Sequence, residues 1–223
     1  MIHILLSRWR QGHRTMAYPK SLPPLPQRLR GRPEIRPGSC PEDCSACRDA
    51  CPTSAIEAGE KGPMIDLGRC LFCGECAEAC PENVLTFTQD HRLATRERED
   101  LRLEPGEGLF LAKALEAESM RVFGRSLKLR VVSAGGCNGC EVDVNVLSTI
   151  GWDLGRFGIQ VVASPRHADA VVICGPITKN MELAVRKTLD ATADPKLVIA
   201  VGSCAISGGP FLNQEEQLGG CGG

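Results

Sequence analysis

The sequence predicts an α/β protein of the doubly wound type preceded by a smaller α+β domain. Three observations carry this. From residue 127 onward a strand, a glycine-rich loop and a helix recur in that order, the crossover unit of a parallel sheet. Ahead of them, eight of the thirteen cysteines crowd into residues 40–80 among short apolar runs. The stretches 1–38 and 89–126 are dominated by proline and by charge and set these two blocks apart. The chain of 223 residues is long enough for more than one domain. Its organisation reads as a basic, proline-rich docking arm (1–38), a cysteine-rich domain (39–88), a charged linker and helix (89–126) and an α/β domain (127–223).

The formal charge of −1 hides an uneven distribution. Residues 1–38 carry Arg8, Arg10, Arg14, Lys20, Arg28, Arg30, Arg32 and Arg36 against Glu34, so the arm is about +7 and the remainder about −8. Within it, Ile2, Leu5, Leu6 and Trp9 recur at helical spacing and form one apolar face. Such a basic amphipathic helix suits a membrane interface or a partner subunit equally well. From Tyr18-Pro19 to Pro37 the prolines impose an extended path. Without interleaved aromatic residues for stacking on bases, the arm does not suit nucleic acid. No apolar run approaches the about 18 residues of a spanning helix.

The cysteine-rich domain contains two runs, Cys40-Pro-Glu-Asp-Cys44-Ser-Ala-Cys47-Arg-Asp-Ala-Cys51-Pro52 and Cys70-Leu-Phe-Cys73-Gly-Glu-Cys76-Ala-Glu-Ala-Cys80-Pro81. The second is a full Cys-x2-Cys-x2-Cys-x3-Cys-Pro signature; the first has one extra residue between its first two cysteines. Zinc modules set their knuckles about a dozen or more residues apart and stop at four ligands. Disulfide frameworks suit short secreted chains, and no cleavable signal peptide opens this one. Four thiols in so few positions suit an iron-sulfur cube better than either. The runs resemble the two-cluster ferredoxins, in which the fourth cysteine of each run serves the other cube. That resemblance implies one 4Fe-4S cluster on Cys40, Cys44, Cys47 and Cys80 and a second on Cys70, Cys73, Cys76 and Cys51. Short strands are expected at 55–58, 63–66 and 84–88.

Together with Arg14-Thr-Met-Ala-Tyr-Pro19 and Arg28-Leu-Arg-Gly-Arg32, residues 10–88 resemble the ferredoxin-type subunit of complex I and related hydrogenases. In that family these elements precede the clusters and run along partner subunits near the membrane. Residues 90–107, crowded with Arg96, Glu97, Arg98, Glu99 and Asp100, read as a solvated linker. Residues 109–123 have helical apolar spacing.

The α/β domain opens on the β-branched run 127–133, followed by Ala134-Gly-Gly-Cys137-Asn-Gly-Cys140 and a helix over 141–150. Strands at 170–174 and 196–201 follow, the first leading into a helix over 181–192, the second into Gly202-Ser-Cys204-Ala. A doubly wound, flavodoxin-like sheet collects ligands at the carboxyl ends of its strands. Cys137, Cys140 and Cys204 all fall there, where a third 4Fe-4S cluster can be bound. Gly-Cys137-Asn-Gly-Cys140-Glu141, Phe157-Gly-Ile, Ala163-Ser-Pro-Arg-His-Ala-Asp169, Gly175-Pro-Ile-Thr178 and Gly202-Ser-Cys204-Ala-Ile-Ser-Gly-Gly-Pro-Phe211 resemble the small subunit of group 4 nickel-iron hydrogenases, which is homologous to the complex I subunit carrying the terminal cluster. Within that family the Cys-x2-Cys spacing points to the hydrogenase side, because the complex I relatives have adjacent cysteines. The fourth ligand of the family follows one further strand. The chain is therefore expected to be truncated at its carboxyl end, with Cys221, in a glycine-flanked stretch, not the native ligand.

Cys174, closing an apolar strand, reads as a core thiol, and His167 as a surface side chain. Glu141 suits a helix start electrostatically; the resemblance adds a place near a proton route. No catalytic base or nucleophile pattern appears. The expected function is that of an electron-transfer iron-sulfur subunit, peripheral on the cytoplasmic face of the membrane, in a group 4 nickel-iron hydrogenase or formate-hydrogenlyase-like complex. Its partners would be a hydrogenase-like or complex-I-like large subunit and membrane subunits. The alternatives are the same subunit in a complex-I-like oxidoreductase lacking nickel-iron chemistry, and a free ferredoxin-like carrier or iron-sulfur sensor.

Overall fold

A computed structural model describes residues 2–12, 14–37, 40–41, 44–109, 124 and 126–222. The chain opens with helix α1 (Ile2–Gln11), none of whose described residues is buried. An extended segment leads to strand β1 (Pro33–Ile35), the one-turn helix α2 (Ala46–Asp49), strands β2 (Ile56–Gly59) and β3 (Gly62–Asp66), the one-turn helix α3 (Glu75–Glu78), and strands β4 (Leu85–Phe87) and β5 (Arg102–Leu103). β2 and β3 form an antiparallel hairpin, and β5 pairs with the free side of β3. β1 and β4 form a separate antiparallel pair.

Two of these strands come from stretches expected to lie outside the domain. β1 belongs to the expected arm, yet Ile35 is buried opposite Leu85. Three arginines of that segment are tied down locally. Arg36 donates to the Glu82 carbonyl at 2.9 Å, Arg32 ion-pairs with Glu34 and Asp90, and Arg30 lies 3.8 Å from Glu78. β5 belongs to the expected linker. Leu103 of this strand and Leu101 just before it drop into the core beside Ile56, Ile65, Leu67 and Val84. Burial of each leucine stabilises by about 2 kcal/mol, enough to draw in a segment whose other residues are charged. The helix expected over 109–123 falls on residues 110–123, outside the described residues.

The third sheet has the order β7-β6-β8-β9, with every pairing parallel: β6 (Leu127–Ser133), β7 (Ile159–Val161), β8 (Ala170–Cys174) and β9 (Leu197–Val201). Between them run α4 (Gly139–Val146) and α5 (Lys179–Ala191), and α6 (Ser203–Ser207) follows β9. β8 is buried at all five positions, as a central parallel strand must be. Val171 and Ile173 pack with Val185 and Leu189 of α5, whereas Ala170, Val172 and Cys174 pack with Val144 of α4. Successive strand residues therefore meet helices on opposite faces. α4 ends at Val146, short of the expected 150, where the backbone enters turns at Ser148 and Thr149. β7, three residues long, was not among the expected strands.

The two halves touch. Met16 donates its backbone N–H to the Gly151 carbonyl at 2.8 Å, and Ser207 Oγ donates to the Gly68 carbonyl at 2.8 Å. Among the described residues no helix is long and apolar enough to cross a membrane.

Candidate metal centres

The two cysteine runs fold as copies of one local motif. In each, a one-turn helix carries the third cysteine, Cys47 on α2 and Cys76 on α3, and both are buried. The third residue after the last cysteine of each run adopts a positive φ, +50° at Ser54 and +49° at Asn83. That turn aims the next amide back at the cysteine. Ala55 N–H donates to Cys51 Sγ and Val84 N–H to Cys80 Sγ, each at 3.2 Å. Phe72 N–H likewise donates to Cys70 Sγ at 3.3 Å. Amides directed at sulfur stabilise the thiolate form and tune the potential of a bound cluster.

The chain then crosses the runs over. One cavity is lined by Cys51 together with Cys70, Cys73 and Cys76, and walled by Ile65 and Phe87. A second is lined by Cys80 together with Cys40, Cys44 and Cys47, and walled by Val84 and Leu85. Burial pushes the Cys70 and Cys76 thiols up to about 11, with the neighbouring thiols of the same cavity adding to the rise. Burial, then the nearby thiols, Cys80 among them, raise Cys40 and Cys47. Four thiolates around an apolar cavity repel one another, so the arrangement calls for a multiply charged cation to displace their protons. A 4Fe-4S cube meets that need, and the amides aimed at sulfur fit it.

The third group gathers at the carboxyl ends of β6 and β9. Cys137 and Cys140 flank the start of α4, and Cys204 lies in the first turn of α6. The thiols sense one another. Cys140 is raised first by burial and next by Cys204, and Cys204 first by burial and next by Cys137. Gly202, at φ +86°, lies so close to Cys140 that a Cβ there would overlap its sulfur. Only glycine lets the backbone pass at this distance. Cys221 lies in the turn 220–222, its thiol raised by burial.

Neighbouring residues complete the rim. Cys174 is fully buried, pushed up to about 11 by burial and then by Glu141. Glu141 is itself buried and accepts a hydrogen bond from the Ser133 hydroxyl at 2.6 Å, joining α4 to β6. The helix start alone did not reveal this partner, because it sits eight residues earlier on another element. His167 lies exposed in a turn, while Asp169 of the same motif accepts from Lys128 N–H at 2.8 Å and ties that turn to β6.

Two family models match the chain. That of the NADH ubiquinone oxidoreductase 20 kDa subunit covers residues 137–220, and that of the 4Fe-4S dicluster domain covers residues 39–84. A probable membrane-bound hydrogenase subunit of Pyrococcus furiosus is 39% identical over 95 residues, 43% of this chain and 57% of that one. Formate hydrogenlyase subunit 7 of Escherichia coli is 38% identical over 98 residues, 44% of this chain and 38% of that one. An NADH-quinone oxidoreductase subunit of Carboxydothermus hydrogenoformans is 34% identical over 123 residues, 48% of this chain and 74% of that one. The chain spans about half the length of the curated relatives it matches, 57%, 59% and 42% in three of them. With both the sequence motifs and the relatives in agreement, the chain belongs to the NADH ubiquinone oxidoreductase 20 kDa subunit family, here preceded by a 4Fe-4S dicluster domain.

Proposed function

We propose that this chain is the electron-transfer iron-sulfur subunit of a membrane-associated group 4 nickel-iron hydrogenase or formate-hydrogenlyase-like complex. The observation that carries the reading is the sorting of eight thiols into two apolar cavities of four, with three more thiols at the rim of a parallel sheet. Cys40, Cys44, Cys47 and Cys80 would hold one 4Fe-4S cluster, Cys51, Cys70, Cys73 and Cys76 a second, and Cys137, Cys140 and Cys204 would supply ligands to a third. Bound there, such clusters take up and release single electrons. The residues of this chain exclude water from the first two sites with Ile65, Phe87, Val84 and Leu85, and direct backbone amides at Cys51, Cys70 and Cys80. The strand order with helices on both faces supports a doubly wound, flavodoxin-like second domain.

The partners would be a large subunit holding the catalytic metal and membrane subunits, with this chain peripheral on the cytoplasmic face. The names of the Pyrococcus and Escherichia relatives support that setting, as does the Cys-x2-Cys spacing of Cys137 and Cys140. The second reading is a complex-I-like oxidoreductase without nickel-iron chemistry, favoured by the similarity to the Carboxydothermus NADH-quinone oxidoreductase chain. Isolating the complex from its native membranes through a tag on this chain decides between them. A large subunit with paired Cys-x2-Cys motifs, stoichiometric nickel and hydrogen-dependent viologen reduction is expected. A large subunit without those cysteines and without nickel overturns the hydrogenase assignment in favour of the second reading.

A further inference from the structure

One contact joins the residues just before Cys70 to those just after Cys204. Ser207 Oγ, on the last turn of α6, donates to the Gly68 carbonyl at 2.8 Å and also lies 3.2 Å from the Ser203 carbonyl. Beside it, Ile206 packs against the core of the ferredoxin domain. Gly68 has no room for a side chain. A Cβ there would lie 2.7 Å from Arg98 Cζ and 2.8 Å from Ile206 Cγ2, one atom from each side of the joint.

Arg98 cannot swing aside freely to make that room. Its guanidinium forms a bidentate pair with the buried Asp66, at 2.8 Å to Oδ1 and 2.6 Å to Oδ2. Asp66 Oδ1 also accepts the Gly68 N–H at 2.9 Å, and Leu67 N–H donates to the Leu101 carbonyl at 2.9 Å. The turn 66–70 is thus fixed from three directions: by Arg98, by the segment leading into β5, and by α6 of the other domain. A bidentate arginine-carboxylate pair sets orientation as well as attraction.

We infer that Gly68, Arg98 and Ser207 form a fixed joint that sets the separation between the Cys51, Cys70, Cys73, Cys76 set and the Cys137, Cys140, Cys204 set. The inference rests on the reading above only in treating both sets as cluster sites. Gly68 is two residues from Cys70 and Ser207 three from Cys204, so the path through the joint holds the Cα atoms of Cys70 and Cys204 within about 20 Å of each other. Arg98 and Gly68 are positioning residues, acting on the loop that carries Cys70 and not on a cluster directly. The arginine lies in the charged stretch beyond the two cysteine runs, and its use here explains why that stretch folds back.

The test is run on the full chain after anaerobic reconstitution, with Gly68→Val and Ser207→Ala. Backbone amide exchange over residues 203–208 should rise at least tenfold in Gly68→Val, which leaves the Ser207 contacts within α6 in place, and about fivefold in Ser207→Ala. Exchange over 56–66 should stay unchanged. In the reconstituted protein, the magnetic interaction between the reduced clusters of the two sets should weaken in Gly68→Val, while iron content and each cluster's own spectrum persist. If valine at 68 prevents iron loading, the Ser207→Ala exchange decides alone. Unchanged exchange over 203–208 in Ser207→Ala overturns the joint. Absence of a third cluster in the parent protein would instead count against the functional reading, since exchange over 203–208 reports the Ser207–Gly68 contact without it.

Discussion

Arg156 holds Tyr18 across 138 residues of chain, its Nη2 donating to the Tyr18 carbonyl at 2.7 Å. Its Nη1 donates to the Met16 carbonyl at 2.6 Å. The tyrosine ring lies 6.0 Å from the His91 ring, at the end of the ferredoxin domain, and 6.5 Å from the Trp152 ring of the other domain. The segment around Tyr18 therefore straps one domain to the other, and the fork of a single arginine closes the strap.

Replacing Arg156 by Lys keeps the charge but loses the fork that reaches two carbonyls at once. The strap should open about ten times more often, as two weakened and partly solvated hydrogen bonds imply. Limited proteolysis should cut faster between residues 12 and 27, with iron content unchanged. Cleavage at the parent rate would show that the strap is held elsewhere.

The arm also divides into two parts with different roles. α1 exposes Ile2, Leu5, Leu6 and Trp9 and buries none of its described residues, so it adds nothing to the core. Deleting residues 2–14 should leave the iron content and the melting temperature unchanged while weakening association with anionic vesicles or with the parent complex. Deleting residues 2–36 should also remove β1, expose Leu85 and lower both iron retention and stability. Equal stability of the two deletions would show that β1 is dispensable.

How far these features were legible depends on how local their causes are. The cysteine runs were readable because the shape of a cluster-binding loop is written into the spacing of four neighbouring residues. The strands at 127–133 and 170–174 were readable because a strand buried on both faces needs an unbroken apolar run. β5 was not, since Leu101 and Leu103 follow Arg96, Glu97, Arg98, Glu99 and Asp100, and two leucines among so many charges carry no periodicity. What places them is Asp66, more than thirty residues earlier, drawing Arg98 inward. β7 is too short for a pattern, and it forms where β6 offers an open edge. The Arg156 strap could not be read at all, because its acceptors are backbone carbonyls that every residue possesses.

The crossing of the cysteine runs makes a specific claim about Cys51. It lines the cavity of Cys70, Cys73 and Cys76, although it lies only four residues past Cys47. Replacing Cys51 by Ser should alter the paramagnetic signal and lower the occupancy of the cluster on the second run, leaving the other signal intact. The Ala55 amide would then face a hydroxyl in place of a sulfur, and the potential of the altered cluster should shift. A change confined to the cluster on Cys40, Cys44 and Cys47 would reverse the assignment.

Cys221 poses the opposite question, because it comes near the third group in the fold without joining it. The stretch 220–222 lies against the backbone of α6, where a Cβ at Gly220 would come within 2.8 Å of the Cys204 carbonyl oxygen, and Gly220 N–H donates to the Pro176 carbonyl at 3.0 Å. Contact with the backbone of Cys204 is not contact with its sulfur. Cys137, Cys140 and Cys204 each raise, or are raised by, another thiol of the group, whereas burial alone acts on Cys221. A cube ligand must stand close enough to its fellow thiolates for their charges to be felt before the metal enters. Cys221→Ser should therefore leave the iron content of the reconstituted chain unchanged, with about eight irons from the first two sets and the same labile third cluster on Cys137, Cys140 and Cys204 as in the parent. Its spectrum should overlay that of the parent. A loss of about four irons confined to the serine variant would make Cys221 a ligand, and would require the glycine-flanked turn to swing its sulfur onto the rim.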